Sequence, residues 1–242
     1  MKKEHSTAIV LAAGQGKRMG AKVHKQYLLL DGRPVLYYSL KTFQDSDIID
    51  EIVLVTGAGE EEYCRENIVI PFGFTKVSRI LCGGAERYLS VWNALQELDE
   101  SGYVFIHDGA RPFVDEAMID RAYASVLECN ACVVGMPVKD TIKLADAQEY
   151  VEDTPERSRL WMVQTPQVFK TDLVKGAYKM LMRESYIQVT DDAMVVETML
   201  NHPVKLVRGS YENIKITTPE DLAIGEVFAK ARKAGGAAAG KP

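Results

Sequence analysis

Short apolar runs alternate along this chain with segments of helical periodicity, and this alternation constrains the fold more than any other feature. A continuous apolar run of this kind is typical of a strand that is covered on both faces. The clearest helical segment is Glu86–Leu98, in which the apolar residues recur at helical spacing. Strands that alternate with helices predict an α/β fold, with a Rossmann-like, mostly parallel sheet and helices on both faces.

The predicted elements cover most of the chain. The candidate strands are Ala8–Ala12, Glu51–Thr56, Lys76–Leu81, Tyr103–His107, Ala131–Pro137 and Val204–Val207. The candidate helices are Val35–Phe43, Gly59–Asn67, Glu86–Leu98, Glu116–Glu128, Asp172–Arg183, Asp191–Leu200 and Pro219–Lys233. The last helix begins with Thr218 as N-cap, Pro219 at the first position and an acidic first turn. We expect a single domain over residues 1–233.

The region from Lys139 to Arg159 departs from this alternation. It is polar and contains two short alternating pieces, Thr141–Leu144 and Glu149–Glu152, with turn residues near them. This pattern predicts a β-hairpin arm that projects from the sheet. Because an isolated hairpin is only marginally stable in water, we expect the arm to pack against a second subunit. Residues 234–242 are of low complexity and are expected to form a disordered tail.

Composition excludes several classes of protein. A formal net charge of -5 argues against nucleic-acid binding, which usually requires a basic face. No apolar run approaches the about 20 residues of a membrane-spanning helix and no secretory signal is evident, so we expect a cytoplasmic protein without membrane association. Cys129 and Cys132 form a C-x-x-C pair, but no second pair is spaced for zinc, and free thiols are expected.

The stretch from Ile9 to Gln26, IVLAAGQGKRMGAKVHKQ, leads from the first apolar run into a glycine loop that carries Lys17 and Arg18. Glycine permits the tight turn and the close backbone approach that such a loop needs. Successive free N–H groups form an anion-binding concavity, and nearby cations match a polyphosphate. The loop therefore predicts a site for a nucleoside triphosphate.

Two other phosphate motifs fit less well. A dinucleotide fingerprint requires G-x-G-x-x-G, but Met19 follows Arg18 here and Gly20 comes one position late. The segment from 235 to 241 spells G-x-x-x-x-G-K, but Pro242 replaces the required Ser or Thr and no strand precedes the segment. This second match is accidental.

Two further clusters follow predicted strands. The segment 83–90 (GGAERYLS) leads into a helix, so its N–H groups and the Ser90 hydroxyl could meet a nucleotide; an ordinary glycine turn explains it equally well. The segment 107–112 (HDGARP) follows the carboxyl end of a strand, where open α/β sheets bind their ligands. Asp108 there can orient a hydroxyl or hold Mg²⁺, and Arg111 can bind phosphate, or the two can simply brace the turn.

These motifs occur in a fixed order with several weaker ones. In chain order the series is LAAGQGKRMG, KQYL, GGAERYLS, HDGARP, DTIK, RLWMVQTPQVF, TDDA and NIKITTPEDL. From about Thr7 to Phe228 the series closely resembles the 2-C-methyl-D-erythritol 4-phosphate cytidylyltransferases of the non-mevalonate isoprenoid pathway. The chain departs from that family's pattern at His24, where proline is frequent before Lys25, and at Gly109, where alanine is common.

The resemblance implies an enzyme that couples CTP to 2-C-methyl-D-erythritol 4-phosphate and releases pyrophosphate. A phosphate oxygen of the polyol phosphate attacks the α-phosphorus in line. No general base is required, because a phosphomonoester with a second pKa near about 6 is largely dianionic at neutral pH. The resemblance further implies Mg²⁺ or a similar divalent cation, held mainly by the CTP phosphates with Asp108 as a candidate ligand, and a homodimer formed through the arm.

Roles for individual residues are also implied by the resemblance. The catalytic cations are Arg18, Lys25 and Lys215, of which Lys215 stabilises the α-phosphoryl transition state. The CTP-binding positions are Ala12, Ala13, Gly14, Gly84, Arg87, Ser90, Asp108 and Gly109. The positions for the polyol phosphate are Arg111, Thr141, Arg157, Thr165 and Thr190. Because Thr141 and Arg157 flank the arm, the partner subunit is expected to complete each site.

Three other functions are alternatives to a methylerythritol phosphate cytidylyltransferase. A ribitol 5-phosphate cytidylyltransferase of the same fold shares the loop motifs, and the segment 157–167 (RSRLWMVQTPQ) favours methylerythritol phosphate through family resemblance alone. A hexose-1-phosphate nucleotidyltransferase shares the opening loop but usually has a longer chain. A non-catalytic nucleotide-binding homologue would have no chemical need for Arg18, Lys25, Asp108 and Lys215 together.

Overall fold

The computed structural model describes residues 3–14, 24–184 and 188–239. Its strands are β1 (Ser6–Ala12), β2 (Leu29–Leu30), β3 (Arg33–Pro34), β4 (Glu51–Thr56), β5 (Val77–Cys82), β6 (Tyr103–Asp108), β7 (Ala131–Pro137), β8 (Leu144–Ala145), β9 (Val151–Asp153), β10 (Trp161–Lys170) and β11 (Lys205–Arg208). Its α-helices are α1 (Val35–Asp45), α2 (Glu61–Cys64), α3 (Arg87–Gln96), α4 (Glu116–Cys129), α5 (Thr171–Leu181), α6 (Asp192–Leu200) and α7 (Pro219–Ala239). These elements confirm the α/β class.

A seven-stranded sheet forms the centre, in the order β11-β7-β10-β6-β1-β4-β5. Four of its six pairings are parallel, and the two exceptions are the antiparallel pairings of β10 with β6 and β7. The carboxyl ends of β1, β4, β5 and β6 therefore meet at one edge, where an α/β sheet places its ligands.

Helices cover both faces of this sheet, as the alternation along β1 shows. Ala8, Val10 and Ala12 pack with α1 and α4 on one face. Ile9 faces the opposite side and packs with α3, α5 and α6. A smaller apolar cluster joins α7 to the β2–β3 hairpin through Leu30 and Ala229. This two-sided burial is why the strands read as continuous apolar runs.

The predicted elements are present with small shifts at their ends. All six predicted strands lie within two residues of the observed bounds. The helix predicted at Gly59–Asn67 is divided into α2 and a π-helical turn, Arg65–Val69. The last helix runs to Ala239, six residues past the predicted end at Lys233 and into the segment expected to be disordered, because its alanines have a high helix propensity.

Strand β10 was missing from the prediction. It is the longest strand and lies in the middle of the sheet, yet its sequence contains Gln164, Thr165, Pro166 and Gln167. Proline and buried polar residues argue against a central strand, so the sequence pattern did not indicate one. The ladder with β7 is interrupted between Val163 and Gln167, which accommodates this irregular piece.

The hairpin predicted between Lys139 and Arg159 is present, with shorter strands than expected. β8 and β9 pair antiparallel as a separate two-stranded sheet. Its apolar side chains are open to solvent, since Leu144 is 50% exposed, Tyr150 75% and Val151 60%. We call residues 139–159 the arm. Within the described part of the chain, none of the helices is both long enough and apolar enough to cross a membrane.

Candidate active site

A cavity of about 500 Å³ opens at the carboxyl ends of the parallel strands. It is lined by Leu11, Ala12, Ala13, Gly14, Lys25, Gln26, Gly84, Ala85, Glu86, Arg87, Ser90, Asp108, Ala110 and Lys215. The turns that follow the strands are joined by backbone hydrogen bonds, from Gly109 N–H to Leu11 O at 2.8 Å and from Gly83 N–H to Thr56 O at 2.8 Å. The rim is therefore built from loops that the sheet holds in fixed positions.

Small residues make one wall of this cavity. A Cβ at Gly83 would lie 2.5 Å from Ala13 Cβ, and a Cβ at Gly84 would collide with Leu89, so larger residues are excluded at both positions. Ser90 fixes the loop between them: its Oγ accepts a hydrogen bond from Gly84 N–H at 3.0 Å and donates to Glu86 O at 3.2 Å. Backbone groups of this wall can approach a flat ligand closely.

The same cavity carries a charge cluster around Asp108. Lys215 Nζ lies 2.8 Å from its Oδ2, Arg87 Nε lies 3.1 Å from its Oδ1, and Arg111 Nε lies 4.0 Å from its Oδ2. Burial alone would raise the pKa of Asp108, but these three cations outweigh it and hold the pKa well below its ordinary value. Asp108 is therefore a carboxylate that fixes cations at the cavity wall.

A second carboxylate, Asp192, also binds Arg87. The guanidinium donates two parallel hydrogen bonds, at 2.9 and 2.8 Å, to the two oxygens of Asp192, which is fully buried. Tyr178 OH donates to the same carboxylate at 2.7 Å. Burial lowers the pKa of Arg87, but Asp192 and Asp108 overcome this and raise it well above its ordinary value. Asp192 belongs to the TDDA motif, but no role was predicted for it from the sequence.

A neighbouring cavity of about 290 Å³ shares Arg87, Asp108 and Lys215 with the first. Its other lining residues are Arg111, Val163, Gln164, Thr165, Gln167, Thr190 and Asp191. Arg111 Nη1 donates to Asn213 O at 2.8 Å, and burial lowers the pKa of this guanidinium. The two cavities thus meet at the charge cluster, with β10 forming much of the second.

His107 is fully buried and contacts Arg111 and Thr165, two residues that line the second cavity. Its Nε2 lies 3.0 Å from Arg111 O, a carbonyl that can only accept, so Nε2 carries the proton. Nδ1 then accepts a hydrogen bond from Thr165 Oγ at 3.0 Å, and Thr165 Oγ in turn accepts from Asp108 N–H at 3.1 Å. Burial lowers the pKa of His107 to about 4. His107 is a neutral brace and has no free nitrogen for catalysis.

Lys25 and Lys215 come from opposite ends of the chain and line the same cavity. Lys25 lies along the first loop, since its Cε is 3.8 Å from the position of a Cβ at Gly14. The next residue, Gln26, is buried and donates from Nε2 to Ala12 O at 2.5 Å, which ties the turn to the end of β1. Lys215 is held by the hydrogen bond from Ile216 N–H to Ala110 O at 2.8 Å.

Most of the residues singled out in the sequence lie in these two cavities. The first contains Ala12, Ala13, Gly14, Lys25, Gly84, Arg87, Ser90, Asp108 and Lys215. The second adds Arg111, Thr165 and Thr190. Sequence reasoning missed Gln26, Glu86, Ala110, Gln164, Gln167 and Asp191 as lining residues. The buried polar side chains of β10 were the available signal, but they could not be located without the strand.

Four predicted positions are not among these lining residues. Arg18 lies outside the described residues. Thr141 and Arg157 are exposed in the arm and line neither cavity; Arg157 Nη1 donates to Lys139 O at 3.0 Å within the same chain. Gly109 also lines neither cavity, because its position faces the core: a Cβ there would lie 2.8 Å from Leu36 Cδ1 and 3.0 Å from Leu11 O. An alanine at 109 would therefore press on the core and would not touch a ligand.

A hard divalent cation such as Mg²⁺ prefers oxygen ligands. Among the described residues, no group of three or more His, Cys, Asp or Glu side chains could hold a metal ion. The first cavity offers the carboxylates of Asp108 and Glu86. Mg²⁺ often binds through one or two carboxylates together with substrate phosphates, and this donor set fits that mode. Both oxygens of Asp108 already contact Arg87 or Lys215, so a divalent cation would be held mainly by the oxygens of a triphosphate.

A cavity at the carboxyl ends of parallel strands, with a small-residue wall and lysines facing it, defines an α/β enzyme that binds a phosphorylated nucleotide. The family model for 2-C-methyl-D-erythritol 4-phosphate cytidylyltransferase matches residues 6–231. The chain belongs to this family, and it is a nucleotidyltransferase.

Curated relatives and solved structures agree with this assignment. The chain is 52% identical over 226 residues to 2-C-methyl-D-erythritol 4-phosphate cytidylyltransferase of Lachnospira eligens, covering 93% of this chain and 99% of the relative. The identity to the enzyme of the same name from Alkaliphilus metalliredigens is 48% over 231 residues, or 95% of each chain. The crystal structure of 4-diphosphocytidyl-2C-methyl-D-erythritol synthase from Anaerococcus prevotii superposes with a TM-score of 0.83 at 33% identity, over 94% and 97% of the two chains. These matches do not favour the ribitol phosphate or the non-catalytic alternative.

Proposed function

We propose that this chain transfers the cytidylyl group of CTP to 2-C-methyl-D-erythritol 4-phosphate. A phosphate oxygen of the polyol phosphate forms a bond to the α-phosphorus, the bond to the pyrophosphate oxygen breaks, and the products are the CDP-linked polyol and pyrophosphate. The names of the relatives support both substrates. The observation that carries the proposal is that Lys25 and Lys215 line one cavity beside the small residues of the first loop.

The two lysines act on different parts of CTP in this proposal. Lys25 adjoins Gly14, at the loop whose composition suits a triphosphate, so it binds the β- and γ-phosphates together with Arg18. Lys215 lies where the two cavities meet, and it stabilises the charge that develops at the α-phosphoryl group. Asp108 keeps the Lys215 ammonium at this junction through the 2.8 Å contact.

Catalysis on this arrangement consists of alignment and charge stabilisation. The attacking phosphate already carries the charge it needs, so no base has to remove a proton. This agrees with His107, whose two ring nitrogens are both engaged and whose low pKa keeps it neutral. A divalent cation, held mainly by the oxygens of the triphosphate, would offset phosphate charge.

The cytidine moiety is assigned to the wall of small residues. Ala12, Ala13, Gly14 and Gly84 leave backbone groups accessible, while Ser90 holds the loop that presents them. Arg87 is fully engaged by Asp108 and Asp192, so its role is to shape the pocket. Gly109 supports the turn from the core side.

The polyol phosphate is assigned to the second cavity, next to Arg111, Thr165 and Thr190. Thr165 directs its hydroxyl hydrogen to His107, so it can offer only an acceptor to a substrate hydroxyl. Thr141 and Arg157 lie in the arm, away from this cavity, and we assign them to the site of a second subunit in a homodimer. The exposed apolar side chains of the arm support this arrangement, because a partner would cover them.

A cytoplasmic location and the absence of nucleic-acid partners belong to the same proposal. The four cysteines are free, as is usual in a reducing compartment, and the formal net charge is -5.

Pyrophosphate release tests the reaction directly. The purified protein is incubated with CTP, Mg²⁺ and either 2-C-methyl-D-erythritol 4-phosphate or ribitol 5-phosphate. We expect release with the first acceptor and much less with the second, and loss of release when the metal is chelated. Equal rates with ribitol 5-phosphate would refute the acceptor assignment, and no release with either acceptor would refute the transferase function.

A further inference from the structure

The residue before Lys25, His24, is the N-cap of the short turn that carries this lysine. His24 has φ −63° and ψ 141°, and a single 3-10 turn, Lys25–Tyr27, follows it. Tyr27 N–H donates to His24 O at 2.9 Å and closes the turn. The backbone at His24 therefore sets how the chain enters this turn, and Lys25 is the first residue of the turn.

The imidazole of His24 is tethered to Glu60, which lies just before α2. Nδ1 of His24 is 2.6 Å from Oε1 of Glu60. A proton must lie between these atoms, because two lone pairs at this separation would repel. The contact is short, although its angle departs from that of a well-aligned hydrogen bond. The two side chains are 36% and 20% exposed, so the pair is shielded from much of the solvent.

Glu60 is itself held in place by two further groups. Its Oε2 accepts a hydrogen bond from Tyr27 OH at 2.9 Å and one from Gly57 N–H at 3.2 Å. Tyr27 is buried, and its ring stacks on the imidazole of His24 with 13° between the planes. We call His24, Glu60 and Tyr27 the His24 anchor.

We propose that the His24 anchor is a positioning device for Lys25: Glu60 fixes His24, and His24 fixes the backbone from which Lys25 reaches the triphosphate. This inference depends on the proposed function, in which Lys25 binds CTP. The backbone geometry supports it, because a φ of −63° is the value to which a proline ring would lock this residue. Among the described residues, none accepts a hydrogen bond from the His24 N–H, so a proline would lose no bond to this part of the chain. The contact between His24 and Glu60 thus restricts the backbone at this position, as the ring of a proline would.

Three substitutions of His24 distinguish the contact with Glu60 from the stacking on Tyr27 and from the restriction of φ. His24→Ala removes the tether and the stacking. His24→Phe retains a ring on Tyr27 but cannot bind Glu60. His24→Pro removes the whole side chain and locks φ. The tether predicts that Ala and Phe lower kcat/KM for CTP by about threefold to tenfold, and that Pro stays within about twofold of the unchanged chain, because small displacements of an aligned group already cost rate.

Hydrogen exchange gives a readout that does not depend on activity. The amides of Tyr27 and Leu28 donate to His24 O and Lys25 O, so their exchange reports on the turn. We expect faster exchange in the Ala and Phe variants and unchanged exchange in the Pro variant. Equal kcat/KM and exchange in all four proteins would overturn the inference, as would a Pro variant impaired as strongly as Ala. A wild-type chain that is inactive with CTP and the polyol phosphate would instead overturn the proposed function.

Discussion

The charge cluster at Asp108 and the arm both carry residues that bind phosphate in the proposed function, but they are built differently. At the cluster, Arg87 is held by both Asp108 and Asp192, and the latter is fully buried. In the arm, Arg157 is exposed and donates only one described hydrogen bond, to the Lys139 backbone. In the proposed function, the described residues of the nucleotide half therefore come from one chain, whereas the arm residues are positioned by a partner.

Lys215→Ala should have the largest effect on activity. It removes the cation that lies where the two cavities meet, so we expect kcat to fall by about a thousandfold, the range seen when one group that stabilises transition-state charge is removed. The fold should survive, because Asp108 retains Arg87. Steady-state kinetics and circular dichroism measure the two effects, and Lys230→Ala, an exposed lysine of α7, is the control. Near-normal turnover would remove Lys215 from the mechanism.

Asp192→Ala should have the largest effect on stability. The substitution leaves the partly buried Arg87 guanidinium without its bidentate partner, and breaking a buried pair typically costs about 3–5 kcal/mol. Urea unfolding of the variant measures the loss. The control is Asp120→Ala, which removes an exposed aspartate of α4. A small loss with Asp192→Ala would show that the cluster is less rigid than its contacts imply.

The pH dependence of stability tests the same rigid region through His107. Its pKa is lowered from 6.5 to about 4 in the folded chain, so between these values the unfolded chain binds more protons. Stability should therefore fall as the pH decreases from 6.5 towards 4, by about 3 kcal/mol from this residue. His107→Asn has no titrating ring, and its unfolding curve should depend less on pH over this window. Identical pH profiles for the two proteins would contradict a neutral, buried brace.

The contrast between the two regions also explains what the sequence could predict. Strands that are apolar on both faces, such as β4 and β7, follow from local pattern, and their bounds were predicted to the residue. Strand β10 could not be predicted from local pattern, because the hydrogen-bond partners of its polar groups lie far away in the sequence. Gln167 Oε1 accepts from Asp192 N–H, and Asn213 Nδ2 donates to Thr165 O. Local pattern carries no information about such partners.

The site residues show the same division. Family resemblance placed Lys25 and Lys215 in one cavity, since each belongs to a contiguous motif. It gave no role to Asp192, whose importance comes from Arg87, a residue far away in sequence. It also assigned Gly109 to the ligand; a Cβ there would meet Leu36 and Leu11, so only the backbone of this residue can approach a ligand.

Arg157→Ala should have the smallest effect on stability among these variants, and it tests most directly whether the arm differs from the Asp108 cluster. Because Arg157 is exposed, its loss should change the free energy of unfolding by no more than about 0.5 kcal/mol. If it binds substrate only in the partner's site, kcat/KM for the polyol phosphate should fall by about tenfold to a hundredfold, and KM for CTP should change little.

Mixing this variant with Lys215→Ala determines which chain supplies the arm. In a mixed dimer, the body of the Arg157 variant and the arm of the Lys215 variant together form one site with both side chains intact. Activity should therefore reappear when the two impaired proteins exchange subunits. If Arg157 acted within its own chain, every site in the mixture would still lack one of the two residues and no activity would return. That result would leave the arm without a role in the neighbouring site, and the difference between the two regions would then be one of exposure alone.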